Sequence, residues 1–348
     1  MVQIKIKNRI VGQNQPPFIV AEAGINHNGE IEKALKMIQI AKESNVDAIK
    51  FQTFKAEEFI ANPKQMITYR SQAKQITESM LELHKRLEFS RDEWFRIKKH
   101  CDDEGIIFFS TAQNRSDLDL LLEIGIEIIK VGSDDFNNLP LLKDYTATGL
   151  PIFISCGMAD LEEIRETLQV IGALEGYPTV LLLCTSQYPT PPEDVNLLKF
   201  KTITKTFPGI SLGFSDHTQG PLASSLAVAF GACVFEKHFT LDHNLPGPDH
   251  WFAEDPTGLK EWIDSIRKAS IMMGSRIVHP TKLEEINKKE WRRVVVANRE
   301  IKEGEIFDTT NINMKRVSGG NGLPPSFYEK ILGKRAIKKF NYGEPIII

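Results

Sequence analysis

Ile210-Ser-Leu-Gly-Phe214, Gly220-Pro-Leu-Ala-Ser-Ser-Leu-Ala-Val-Ala229 and Ala232-Cys-Val-Phe235 give an apolar run, a helical pattern and a second apolar run in immediate succession. Two strands joined through a helix run parallel, because the crossover returns the chain to the same end of the sheet. The same alternation extends from residue 17 to about residue 274. The other strand candidates are Phe18–Ala23, Ala48–Thr53, Ile106–Ser110, Glu127–Val131, Pro151–Ser155 and Thr179–Cys184, making eight in all. Helical patterns lie at Ile31–Ser44, Arg91–Glu104, Ser116–Glu123, Leu161–Ile171 and Thr257–Met273, with Ser90 and Glu93 spaced as a capping box. Eight such repeats predict an α/β fold of the (β/α)8 TIM-barrel type, although an open doubly wound sheet leaves similar local patterns.

The 348 residues exceed one ordinary domain and suit a barrel of about 250 residues with a small appendage. With 43 basic and 46 acidic side chains and no long run of like charge, the chain shows no signature of binding nucleic acid or an anionic membrane. No apolar run reaches the roughly 18 residues of a membrane span, and Pro17 to Ala23 lacks a signal-peptide pattern, so a cytoplasmic protein is expected. Cys101, Cys156, Cys184 and Cys233 are scattered without C-x-x-C spacing and read as unpaired thiols.

In a barrel the chemistry sits at the carboxyl ends of the strands. Here those ends carry Glu22; Lys50 and Gln52; Ser110 and Thr111; Lys130, Ser133 and Asp135; Ser155; Thr185, Ser186 and Tyr188; Ser215 and His217; and Glu236, Lys237 and His238. Single hydroxyls at such positions are common turn and cap residues. Lysines inside Ala48-Ile-Lys-Phe-Gln52 and Ile128-Ile-Lys-Val-Gly132 are different, because a buried ammonium needs a partner. That partner is either an anionic ligand or a carboxylate inside the barrel. His217 and His238 end neighbouring strands and suit a first-row divalent ion with positions left open for substrate; each alone would read as a hydrogen-bonded core histidine. Lysines, hydroxyls and a divalent ion together fit a substrate bearing phosphate and carboxylate, with a carbonyl to polarise.

Ala21-Glu-Ala-Gly-Ile-Asn-His-Asn-Gly29, Ile49-Lys-Phe-Gln-Thr53, Lys130-Val-Gly-Ser133, Cys184-Thr-Ser-Gln-Tyr-Pro189, Gly213-Phe-Ser-Asp-His217 and Glu236-Lys-His-Phe-Thr240 together resemble the sialic acid (nonulosonate) synthases over nearly the whole chain. The resemblance implies a transferase that joins phosphoenolpyruvate to an N-acetylated mannose-type sugar, giving a nine-carbon 2-keto acid and phosphate. It further implies that Lys50, Thr111, Lys130, Ser133, Ser155, Ser186 and Ser215 hold phosphoenolpyruvate. His217 and His238 would bind the divalent ion, Mn²⁺ first, with Mg²⁺ or Co²⁺ as alternatives. Glu22 would act at the reacting centre, together with Lys50, Lys130 and Asp249, the last as a proton shuttle. Gln52, Asp135, Tyr188, Asp249 and Arg316 would meet the sugar.

The chain divides by this reading into a barrel over 1–280, a charged linker over 281–290 and a small domain over 291–348. The last, beginning Val294-Val-Val-Ala-Asn-Arg-Glu-Ile-Lys-Glu-Gly-Glu305, resembles the antifreeze-like (SAF, β-clip) domain that ends members of that family. The resemblance implies a homodimer in which this domain covers the partner's active site and Arg316 reaches the partner's sugar.

Some positions depart from the family pattern. Ala112-Gln113-Asn114 replaces a common Pro-Phe, Ser186 and Asp135 stand where some members have Asn and Glu, and His250-Trp251-Phe252 is bulkier than usual. Trp251 is expected either to touch the sugar or to pack under a loop. The acceptor choices are therefore N-acetylmannosamine, a 2,4-diacetamido-trideoxymannose leading to legionaminic acid, and, less favoured, the pseudaminic branch. A synthase of seven- or eight-carbon keto acids and a non-catalytic carbohydrate-binding barrel are the remaining classes; the appended domain argues against the first, and the retained histidines and lysines against the second.

Overall fold

A computed structural model describes residues 3–348, and its contacts separate two units between Gly274 and Ser275. In the first unit eight parallel strands close into a barrel: β1 (Phe18–Gly24), β2 (Ala48–Thr53), β3 (Ile107–Ala112), β4 (Ile129–Val131), β5 (Ile152–Ser155), β6 (Thr179–Cys184), β7 (Ser211–Asp216) and β8 (Val234–His238). Each strand pairs with the next, and β8 returns to β1 with Val234 opposite Phe18 and His238 opposite Glu22. A closed sheet has no edge, which removes the doubly wound alternative.

Alternate side chains point into the barrel. At the amino ends of the strands this inner face is apolar. Phe18, Val20, Ala48, Phe109, Phe153 and Leu182 share one buried cluster, in which the Phe153 ring meets those of Phe18 and Phe109 edge-on at 5.9 and 6.1 Å. Ile4, Ile6 and Val11 of an amino-terminal hairpin join the same cluster. Outward side chains pack instead against helices, as with Trp94 and Ile97 of Arg91–Glu104 and Trp262 and Ile263 of Pro256–Met273. Each large apolar side chain withdrawn from water contributes about 1.5–3 kcal/mol. That supply of apolar burial supports a barrel whose other end is filled with charges.

Between β2 and β3 the chain inserts an antiparallel hairpin, Met66–Ser71 paired with Lys74–Ser79, followed by a helix, Met80–Leu87. The capping box of Ser90 and Glu93 forms as the sequence predicts. All four cysteines are unpaired and buried. Among the described residues no helix is long and apolar enough to cross a membrane.

The second unit, from Ser275, includes the segment read as a linker, 281–290, where a helix, Lys282–Trp291, is capped by Thr281. After it, Arg293–Ala297 pairs antiparallel with Ile312–Arg316, and short bridges join Val296 to Pro345, Ile301 to Phe340 and Ile306 to Arg335. Val295, Ile301, Phe307, Ile331, Phe340 and Ile346 form its own core.

Gly213 shows how tightly the interior of the barrel is filled. A Cβ there would lie 2.4 Å from Leu182 Cδ2 and 2.7 Å from the Val234 carbonyl oxygen. Gly213→Ala is expected to lower stability by about 1–3 kcal/mol through overpacking. An unchanged urea midpoint for this variant would refute that account of the strand contact.

Candidate active site

Strand register decides which polar groups meet at the carboxyl end. Glu22 of β1 lies opposite Lys50 of β2, Thr111 of β3 opposite Lys130 of β4, and Ser215 of β7 opposite Glu236 of β8. Lys50 Nζ stands 2.7 Å from Glu22 Oε1 and 3.9 Å from Glu236 Oε2, and it donates to Thr111 Oγ1 at 3.2 Å. Lys130 Nζ lies 3.6 Å from Glu236 Oε1 and donates to Ser155 Oγ at 2.8 Å and to the Val131 carbonyl at 3.0 Å. Ser215 Oγ donates to Glu236 at 3.0 Å, and Gln52 Nε2 donates to Glu22 at 3.2 Å. Both lysines are thus already paired with carboxylates, so their burial does not by itself require an anionic ligand. Two ammonium groups and two carboxylates make the buried quartet neutral overall.

These neighbours push the members apart. Burial raises the Glu22 pKa, even against the opposing pull of Lys50. Burial acts in the same sense on Glu236, but Lys130 and Lys50 outweigh it and hold that carboxyl below its usual range. Burial also lowers Lys130, whereas at Lys50 the carboxylates of Glu22 and Glu236 overcome burial and raise it. Pairs of like groups driven in opposite directions are a signature of acid and base roles. One oxygen of Glu22, Oε2, is buried without a hydrogen-bond partner.

Above the quartet stand the two imidazoles, their centroids 5.5 Å apart. His217 Nδ1 lies 2.7 Å from the Thr185 carbonyl, so it carries the proton and leaves Nε2 as an acceptor. Burial opposes protonation of His217, but the Cys184 thiol 3.8 Å away and the Thr185 carbonyl raise its pKa. His238 is driven well below its usual pKa by burial and then by His217 and the lysines, and its Nδ1 is buried without a hydrogen-bond partner. A neutral imidazole with an idle nitrogen has the chemistry of a metal ligand. Among the described residues no group of three or more His, Cys, Asp or Glu is placed to hold a metal, so the two histidines would have to hold one without a third such ligand. Asp249 Oδ2 stands 3.8 Å from His238 Nδ1, and burial, followed by Glu22, raises its pKa to about 7.

The cavity at this mouth measures about 290 Å³. Of the residues expected from the sequence, Glu22, Lys50, Gln52, Thr111, Lys130, Ser133, Ser155, Ser186, Tyr188, Ser215, His217 and His238 line it. Tyr188 stacks obliquely on His217 with centroids 4.1 Å apart. Ser133 Oγ accepts from the Gly157 amide at 3.0 Å. A Cβ on Gly157 would lie 2.4 Å from Ser186 Oγ and 2.6 Å from Ser133 Oγ, so only glycine lets these hydroxyls converge.

Three expected residues are absent from this lining: Asp249, which stands beside His238, Asp135 and Arg316. Asp135 does not line the cavity, because its carboxylate turns back to accept from Asn138 Nδ2 at 2.9 Å; the neighbouring Asp134 lines it instead. Arg316 is exposed at the end of its strand in the second unit. Trp251 lies outside the lining as well. Lys237, present in the same sequence motif as His238, faces outward and pairs with Asp216 at 3.1 Å and Glu254 at 3.7 Å. Asp216 accepts in turn from Ser224 Oγ, which accepts from Trp262 Nε1. Glu236, Gln113 and Cys184 line the cavity without having been assigned a role. Period-two alternation was the available signal for Glu236, since it shares a strand face with His238.

Residues 37–278 match the NeuB family and residues 292–346 match the SAF domain. The N,N'-diacetyllegionaminic acid synthase of Campylobacter jejuni is 39% identical over 331 residues, covering 94% of this chain and 98% of that protein. The N-acetylneuraminate-9-phosphate synthase of Homo sapiens is 34% identical over 330 residues, covering 94% and 91%. The crystal structure of N-acetylneuraminic acid (sialic acid) synthetase from Leptospira borgpetersenii, in complex with citrate, superposes with a TM-score of 0.73 at 33% identity, covering 83% of this chain and 96% of that one. With a family match across most of the barrel and relatives aligned over nearly its whole length, the chain belongs to the NeuB family and carries a SAF domain.

Proposed function

We propose that this protein condenses phosphoenolpyruvate with an N-acylated mannose-type sugar and water, releasing phosphate and a nine-carbon 2-keto acid. The observation that carries this reading is the pair of buried ammonium groups, Lys50 and Lys130, set among hydroxyls beneath two imidazoles in a NeuB-family barrel. The acceptor is N-acetylmannosamine or 2,4-diacetamido-2,4,6-trideoxymannose. The greater likeness to the legionaminic synthase than to the human enzyme favours the second.

Lys50 and Lys130, with Thr111, Ser133, Ser155, Ser186 and Ser215, hold the phosphate and carboxylate of the enol phosphate. Ammonium groups withdrawn from water bind such charge strongly because little solvent screens them. His217 and His238 hold a divalent ion, with Mn²⁺ the first candidate, which when bound supplies Lewis acidity towards the sugar's carbonyl. Gln52, Tyr188 and Asp249 orient the aldehyde over the methylene carbon of phosphoenolpyruvate. The electron pair of the enol double bond forms the new carbon–carbon bond, and the aldehyde oxygen takes a proton, for which Asp249, with its pKa near neutrality, is a suitable donor. Water, oriented by Glu22, adds to the cationic C2 centre and loses a proton. Breaking the C2–O bond then expels phosphate as the new hydroxyl gives up its proton, to the departing phosphate or to water, which leaves the ketone, while Lys50 and Lys130 stabilise the charge on the departing group. A homodimer whose SAF domain brings Arg316 to the partner's sugar completes the proposal.

Phosphate release from phosphoenolpyruvate with Mn²⁺ tests the reading, run side by side with N-acetylmannosamine, the diacetamido sugar, arabinose 5-phosphate and no sugar. Release that depends on one of the first two and is abolished by chelator is expected, with Lys130→Met lowering kcat/KM by about 10²–10³. Release with arabinose 5-phosphate alone, or none at all, overturns it. In mixtures of Arg316→Ala and His217→Ala chains, about a quarter of wild-type activity is expected to return if each pocket is built from two subunits. No recovery after verified subunit exchange counts against the shared pocket.

Asp249 gives a separate test in stability. Its folded pKa of about 7 lies above the unfolded value of about 3.9, so between those values the folded protein binds more protons. Stability therefore falls as pH rises across that window. Asp249→Asn removes this loss, so its stability relative to wild type should improve from pH 4 to pH 7.5. Parallel urea midpoints for the two proteins across that range would show that Asp249 is not held in a raised state.

A further inference from the structure

The middle of the loop that carries Asp249, residues 246–248, borders open space. Behind it lies a second cavity of about 390 Å³, with Pro246, Gly247 and Pro248 on one wall and Tyr69, Ser71 and Gln72 of the inserted hairpin on another. A loop beside a void is seated by discrete contacts, not by close packing. On the inner side His250 provides two of these, with Nδ1 2.7 Å from Thr240 Oγ1 and Nε2 3.1 Å from Asn28 Oδ1. On the outer side, besides the pair of His243 with Asp255 at 3.6 Å, the loop is met by one corner of the hairpin. Gln72 Nε2 donates to the Asn244 carbonyl at 2.8 Å, Ser71 Oγ accepts from the Gly247 amide at 3.0 Å, and the Arg70 guanidinium lies 4.4 Å over the Trp251 ring. Trp251 meets Phe252 edge-on at 5.6 Å, and the Phe252 ring faces His238 at 5.3 Å and Tyr188 at 5.0 Å. A line of ring contacts therefore runs from an exposed arginine on the hairpin to the mouth of the barrel.

We propose that Arg70, acting through Trp251, is a positioning residue that holds the 241–253 loop, and Asp249 with it, against the acceptor side of the active site. This rests on the reading of Asp249 as a residue that meets the sugar. Trp251, which the sequence left between touching the sugar and packing under a loop, has the second role here: its ring receives the cation of another βα unit. Arg70 is exposed, so its removal leaves the barrel core untouched.

The test uses the full chain as Arg70→Ala, Trp251→Ala, the double variant and Arg70→Lys, assayed with Mn²⁺ and whichever sugar supports phosphate release. Each alanine variant is expected to lower kcat by about two- to five-fold, the range of an exposed cation–π contact. The KM for phosphoenolpyruvate should stay unchanged, the double variant should be no worse than either single one, and Arg70→Lys should retain most of the activity. Hydrogen exchange of the 244–253 amides, read by mass spectrometry without any substrate, should quicken in Arg70→Ala while strand amides do not change. Unchanged exchange overturns the proposal whatever the activity, as does faster exchange with unaltered kcat, or losses that simply add in the double variant. If the wild-type protein releases no phosphate with any sugar, the functional reading fails, and with it the role given to Asp249; the exchange experiment then decides separately whether Arg70 seats the loop.

Discussion

Closure of the sheet, with β8 returning to β1, is the constraint on which the rest depends. Side chains on a strand alternate with a period of two, so register decides which of them turn inward. With His238 opposite Glu22 and Glu236 opposite Ser215, the inner face at the carboxyl ends holds Glu22, Lys50, Lys130 and Glu236 in one cluster. A slip of one residue in β8 would turn Glu236 into the apolar layer beneath the helices and bring Lys237 inside, leaving Lys130 without its carboxylate. A lone buried charge is far more costly than a paired one. The charges at the mouth therefore penalise wrong registers, while the phenylalanine-rich floor supplies the burial that makes the right one stable.

The barrel was legible because its strands obey simple rules. Ala48–Thr53 and Thr179–Cys184 were read to the residue, since their apolar runs coincide with the strands. The last two strands run further than their hydrophobicity indicates. Ser215 and Asp216 extend β7, and Glu236, Lys237 and His238 extend β8, because these polar side chains find partners in the mouth or under the outer helices. The inserted hairpin escaped notice for a related reason. Its strands, Met66–Ser71 and Lys74–Ser79, are short and only partly buried on one face, where Ile67, Tyr69 and Ile76 alternate with exposed residues, so the apolar signal is weak. It is held by cross-strand pairing and by contacts distant in sequence, which no local pattern records.

The site was legible to a similar depth. A lysine in the middle of an apolar strand announces a buried charge, so Lys50 and Lys130 could be singled out from composition alone. Their partners could not be fixed that way. Glu236 becomes the shared carboxylate only after closure brings β8 beside β1 and within reach of β2 and β4, and the raised pKa of Asp249 requires a loop that folds back over the mouth. The sequence also could not show that a hydrogen bond with Asn138 directs the Asp135 carboxylate into the turn, so that Asp134 lines the cavity.

Depth orders the two halves of the mouth. Lys50 and Lys130 are nearly sealed from solvent, at 3% and 2% exposure, whereas Tyr188 is 44% exposed. A ligand held by the lysines thus lies beneath one held by Tyr188 and the loop bearing Asp249. The neutral quartet makes that lower position tolerable when it holds only the protein's own groups, because each ammonium already has a carboxylate. An incoming anion must share those cations with Glu22 and Glu236. The two carboxyls are unequal in that competition: burial favours the protonated form of Glu22, while Lys130 and Lys50 keep Glu236 ionised. Glu22 can yield its share of Lys50 by taking up a proton, and Glu236 remains as the fixed charge that keeps both lysines in place. The same asymmetry that lets the mouth admit an anion also sets one carboxyl apart for proton chemistry.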